Sequence, residues 1–218
     1  MKTTNMKLKF LFLALGTLLF NCQQDTKKGA TIDYAYADQP TLLACADMDT
    51  LLLNEALYAF QNDITAHYTP EVVNLPLSYR NVTSDALNGR AEYRLMVSEH
   101  TKEVFAALKQ TPGIWRVKGD SYEFDYNGPL FACLAENFKD EDFKKTVNAL
   151  MSTNSMSTRM IGDVLRTKTF QMKDDPYLAS LVAFDLYYGK LFDVDLETPV
   201  TETESPAADA NSHEGHNH

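Results

Sequence analysis

Twelve residues in the middle of the chain, Trp115 to Tyr126, leave the backbone little choice. Trp115 and Val117 alternate with Arg116 and Lys118. Tyr122, Phe124 and Tyr126 alternate with Glu123 and Asp125. Alternation at period two marks a half-buried strand. Between the runs lies Gly119-Asp120, and a two-residue loop with Gly first suits a type II′ hairpin turn. That turn fixes the register, with Trp115 opposite Phe124, Val117 opposite Tyr122 and Arg116 opposite Glu123. One face becomes aromatic and the other charged, each cross-strand pair adding about 0.2–1 kcal/mol.

The flanking sequence reads as helix. Pro40 is placed to start a short apolar turn through Leu42, Leu43 and Cys45, since its fixed φ suits a first helical position. Asp49 or Thr50 can cap the next helix, where Leu53, Leu57, Phe60 and Ile64 repeat at helical spacing. Pro70 and Pro76 mark an irregular connection. Ser84 is a candidate N-cap for a long helix to about Gln110, striped by Tyr93, Met96, Val97, His100, Val104 and Leu108. After the hairpin, Pro129 starts a second apolar turn through Leu130, Phe131 and Cys133. Asp140 can cap a helix bearing Phe143, Val147 and Leu150, and Ser155 or Ser157 one bearing Met160, Val164 and Leu165. Asp175 and Pro176 open a helix to Tyr188 that is apolar on nearly every face, as a central helix would be. Phe192, Val194 and Leu196 alternate with acids, suiting a strand or an extended strap. The expected fold is therefore mostly α, a compact domain of about five to seven helices with one β-hairpin inserted at about 114–126. Pro40 to Cys45 also echoes Pro129 to Cys133, which raises a duplication of helical units.

The N-terminus sets an address. Lys2, Lys7 and Lys9 precede an apolar run from Phe10 to Phe20, followed by Asn21-Cys22-Gln23. A basic start, a short apolar run and a cleavage site are the parts of a secretory signal. The run is too short to span a bilayer, which takes about 20 residues. The segment resembles a bacterial lipoprotein signal. Leu18 or Leu19 fits the branched position of its lipobox, although Asn21 stands where a small residue is usual. The resemblance implies cleavage before Cys22, lipidation of Cys22 with fatty acyl chains such as palmitate, and anchoring in the cell envelope. Gln23 is not the Asp that retains such proteins in the inner membrane, so the outer membrane is the expected site. Residues 1–21 then form the signal, 22–38 a flexible tether, 39–197 the helical domain and 198–218 a disordered, His-containing tail. The tail is too poor in apolar residues to offset its ordering entropy.

Removing the three lysines of residues 1–21 from the 20 basic residues leaves 17 against 30 acidic ones, a net charge of −13. An acidic surface argues against nucleic acid, which is bound through clustered Lys and Arg. It argues equally against docking on anionic lipid through a basic patch.

Several groups could carry chemistry. Cys45 and Cys133 are the only cysteines besides Cys22, with 87 residues between them. Export through an oxidising compartment would let them pair; two buried free thiols among apolar neighbours are the other reading. His213, His216 and His218 in the tail are spaced to gather around Cu or Zn. Met151, Met156, Met160 and Met172 resemble the methionine clusters of envelope copper proteins, yet Met156 and Met160 are also i, i+4 on an expected helix, where core packing is the commoner explanation. His67 and His100 sit on apolar stripes about 20 Å apart if their helices are antiparallel neighbours, too far to share a metal. Glu92, Glu99 and Glu103 lack the Glu-x-x-His companion of a di-iron bundle. Trp115 and the hairpin tyrosines could form a binding platform or the lid of a core. No nucleophile-elbow, zincin, C-x-x-C or Walker pattern is present. The expectation is a lipid-anchored binding or scaffolding module with an envelope protein partner and no nucleic acid. A metal-handling lipoprotein and an unrecognised envelope hydrolase are the alternatives.

Overall fold

A computed structural model describes residues 32–198. The protein is mostly helical, with one two-stranded antiparallel hairpin inserted between its two helical halves.

Helix α1 (Thr50–Tyr68) begins at Asp49, whose side chain accepts from the Leu52 amide at 3.0 Å. Its stripe of Leu53, Leu57, Phe60 and Ile64 is fully buried. Helix α2 (Leu75–Leu87) is capped by Asn74, which accepts from the Leu77 amide, and carries Pro76 in its first turn. It ends at Asn88-Gly89, where Gly89 takes a φ of +67°. A single turn, α3 (Tyr93–Met96), leads to α4 (Glu99–Leu108), capped by Ser98 accepting from the Thr101 amide. The single helix expected from Ser84 to Gln110 is therefore corrected. Ser84 lies in the last turn of α2, and left-handed Gly89 stops the helix after it. The apolar stripe is real but is shared by α3 and α4, both packed on α1.

Strand β1 (Trp115–Lys118) pairs with β2 (Ser121–Phe124) in the register read from the sequence. Gly119 has a φ of +59° while Asp120 stays negative, as a type II′ turn requires. Helices α5 (Pro129–Asn137), α6 (Glu141–Ser152), α7 (Thr158–Lys168) and α8 (Pro176–Leu181) follow. Asp140 caps α6 through the Phe143 amide, and Asp175 caps α8 through the Leu178 amide.

The segment from Asp175 to Tyr188 is central, as its composition suggests: every residue from Leu178 to Tyr188 is buried. It is not one regular α-helix. After Leu181 the chain widens to a π-helical stretch, Val182–Tyr187, and then tightens to 3₁₀ geometry over Tyr188–Asp193. It packs on α1, α2, α5 and the hairpin. Phe192, Val194 and Leu196 pair with no strand; the first lies within the 3₁₀ turn and the others follow it in an extended strap.

Residues 32–38, expected in the tether, lie against the helices instead. Ile32, Tyr34 and Tyr36 pack on the core, and Tyr36 stacks on Tyr58 with ring centroids 5.6 Å apart. Their every-other-residue apolar pattern explains the attachment. The following segment, Pro40 to Cys45, is not helical. Asn54 on α1 takes up its backbone, accepting from the Leu42 and Leu43 amides and donating to the Leu43 carbonyl. The look-alike Pro129 segment begins helix α5, so the two segments differ in conformation and are not copies of one helical unit. They do meet: Cys45 and Cys133 form a disulfide with Cα atoms 5.7 Å apart, the first of the two readings left open by the sequence.

Candidate functional site

The π-helical stretch exposes one unusual residue to its neighbours. Asp185 is a carboxylate inside an otherwise apolar run, and it is only 5% exposed. A buried charge is costly unless hydrogen-bonded. Tyr126, just after β2, donates its hydroxyl to Asp185 Oδ2 at 2.6 Å. Thr158, the first residue of α7, donates to the same oxygen at 2.8 Å and to Oδ1 at 3.0 Å. The two hydroxyls are themselves 3.2 Å apart. A closed triad thus ties together the hairpin, the N-terminus of α7 and the central segment.

Electrostatics follows from this burial. Desolvation raises the Asp185 carboxyl above its usual range, opposed by the hydroxyl bonds of Tyr126 and Thr158 and by the Lys190 charge. Burial and the Asp185 charge push the Tyr126 phenol far up, so it stays protonated.

The triad is the floor of a cleft. On one side a cavity of about 290 Å³ is walled by Arg116, Lys118 and Glu123 of the hairpin. On the other a cavity of about 350 Å³ runs between α2 and α7, past Leu87, Gly162 and Arg166. Both are lined by Thr158, Arg159 and Lys190, so the two cavities adjoin along these residues. The basic residues of the cleft are not equally engaged. Glu123 accepts from Arg116 Nε at 2.8 Å and contacts Lys118 Nζ at 2.6 Å. Bonds from these two cations hold its carboxyl below the usual range against a desolvation that would raise it. Arg166 donates to Asn88 Oδ1 at 2.9 Å. Among the described residues, Arg159 and Lys190 have no hydrogen-bond or ion-pair partner; Lys190 acts on Asp185 only through its charge.

The residues singled out from sequence fall elsewhere. Cys22, His213, His216 and His218 lie outside the described residues. His67 stacks edge-on against Tyr68. His100 bonds Glu55 Oε1 at 2.7 Å, so the two histidines serve separate neighbourhoods. Met156 and Met172 are buried while Met160 is exposed. Met156 also precedes α7, so it makes no helical pair with Met160. Among the described residues no group of three His, Cys, Asp or Glu side chains is arranged for a metal, and no helix is long and apolar enough to cross a membrane. Trp115 is the lid of a core, not a platform. It donates Nε1–H to the Leu108 carbonyl and packs on Phe124, Phe184 and Phe192.

Asp185, Tyr126, Thr158, Arg159 and Lys190 were not legible as a site. One signal existed: Asp185 is the lone charge in a run of apolar residues, where an acid survives only with partners. Comparison with protein-family models, curated proteins and solved structures yields no match to this chain.

Proposed function

We propose that the protein is a lipid-anchored module of the cell envelope, held through Cys22 at the outer membrane, whose cleft over Asp185 binds a ligand or a partner's side chain without transforming it. The anchor rests on the sequence around Cys22; the observation that carries the binding reading is the pair of unpartnered cations, Arg159 and Lys190, above a fully hydrogen-bonded floor. Side chains left unpaired at a preformed concavity are free to engage a ligand with little reorganisation. Binding is favoured over turnover because the floor's polar groups are spent on each other. The Tyr126 and Thr158 hydroxyls both donate to Asp185, and the phenol is held protonated.

Two measurements test the two halves. Mass spectrometry of the mature N-terminus is expected to show acylated Cys22; an unmodified residue overturns the anchor. A photo-crosslinking residue in place of exposed Asp163 at the cleft rim is expected to capture a discrete adduct in the envelope, while one at exposed Val72 does not. Absence of an adduct from the cleft position overturns the binding site.

A further inference from the structure

Resting on the cleft described above, we propose that the group it receives is a soluble oxyanion, a phosphate, sulfate or carboxylate group carried by a small molecule or flexible chain. Four observations converge on that chemistry. First, the cleft is cationic in an acidic protein. The chain carries a formal net charge of −10, yet Arg116, Lys118, Arg159, Arg166 and Lys190 all border this one cleft. Fields in a low-dielectric concavity are focused, so local sign matters more than net charge.

Second, the acids present do not use up those cations. Glu123 is committed to Arg116 and Lys118. Asp163 lies 4.0 Å from Arg166 Nε. Both oxygens of Asp185 are taken by hydroxyls. Arg159 and Lys190 are therefore left for an outside anion.

Third, the N-terminus of α7 faces the cleft through Ser157, Thr158 and Arg159. Ser157 makes no side-chain cap bond, and the first turn holds no acid. The helix thus brings the positive end of its dipole to the same place as the two cations. Arg can bind an oxyanion in two-point fashion, and Lys adds a point charge.

Fourth, the cleft's two cavities, about 290 and 350 Å³, match the size of small-molecule sites, roughly 300–1,000 Å³. A membrane surface fits less well. An acidic protein is repelled by anionic lipid over about a Debye length, whereas a small anion can enter the cleft alone.

The test is an NMR titration of the ¹⁵N-labelled mature chain, residues 22–218, at constant ionic strength. The probes are sodium phosphate, sulfate and acetate. At least one should give saturable shifts at the Thr158, Arg159 and Lys190 amides, and Arg159→Ala with Lys190→Ala should weaken that binding tenfold or more. Arg159→Lys should keep part of it, which a general loss of fold would not. Vesicles of phosphatidylcholine with and without phosphatidylglycerol form the other arm. Selective, cleft-dependent capture by the anionic vesicles, with no response to the soluble ions, overturns the soluble assignment in favour of a lipid headgroup. Saturation at residues remote from α7 overturns it too. If the Asp163 crosslinker captures a ligand but none of the anions binds, the oxyanion assignment falls and the binding module stands.

Discussion

The Tyr126 hydroxyl donates to Asp185 Oδ2 across 2.6 Å, fastening the end of the hairpin to the π-helical core segment. The carboxyl is buried, and desolvation raises its pKa above the ordinary 3.8. The native state therefore holds this proton more tightly than the unfolded chain does. Over the pH range just above 3.8 the unfolded state binds fewer protons, so this group's contribution falls as pH rises through that window.

Asp185→Asn should remove that dependence. The difference in unfolding free energy between wild type and variant should decline as pH rises from 3.8 through the raised folded pKa, then level off. Denaturant titrations at a series of pH values measure it. A difference that grows with pH would mean the carboxylate is favoured in the fold, against the burial argument. Asp185→Ala should cost more than Asp185→Asn, since it leaves two hydroxyls without an acceptor, about 1–3 kcal/mol each where burial is complete.

The disulfide should matter more than any single core contact. It joins residues separated by 88 positions and fastens the segment after the proposed anchor to α5. Loop-closure arguments give about 4–5 kcal/mol for a loop of that length. Cys45→Ala with Cys133→Ala, or reduction of the wild type, should lower stability by that order, and unreduced, unfolded protein should titrate no thiol from this pair. Two reactive thiols per chain there would show the bond is not formed.

Two glycines separate backbone strain from collision. Gly119 and Gly113 have φ values of +59° and +81°. A Cβ at Gly119 would meet open space, while one at Gly113 would fall 2.5 Å from Pro129 Cγ. Gly119→Ala should cost only the left-handed penalty, about 1–2 kcal/mol. Gly113→Ala should cost that and also displace the start of α5, so its loss should be clearly larger. Equal losses in thermal or chemical melts would show that Pro129 yields freely.

Which parts were legible in the sequence follows from how local the signal is. The hairpin register was readable because Gly119-Asp120 and the two alternating runs are contiguous. Asp49, Asp140 and Asp175 were readable as caps because each acts three residues away. The stretch from Ser84 to Gln110 misled because its apolar stripe continues across a chain break in direction; Asn88-Gly89 and Ser98 were the overlooked signals. The cleft was not readable at all. Tyr126, Thr158, Asp185 and Lys190 come from three separate segments, and only the packing of the π-helical stretch brings them together.

Residues 32–39 form an N-terminal strap that Glu55 holds on α1. Glu55 is 1% exposed, and its carboxylate accepts from the Tyr36 amide at 3.0 and 3.2 Å and bonds His100 Nε2 at 2.7 Å. The strap has a second, independent attachment through Asn54 and the disulfide further along. Glu55→Ala should therefore release residues 32–39 without releasing Leu43 or Cys45. It leaves a backbone N–H and an imidazole unpaired, about 1–3 kcal/mol for each group that stays buried. Because the strap can swing into water, the local opening should absorb part of that cost. Amide hydrogen exchange should show lost protection at Tyr36 with Leu42 and Leu43 still protected. Loss at all three would mean the strap is one cooperative unit, and the Asn54 contacts would then be too weak to act alone.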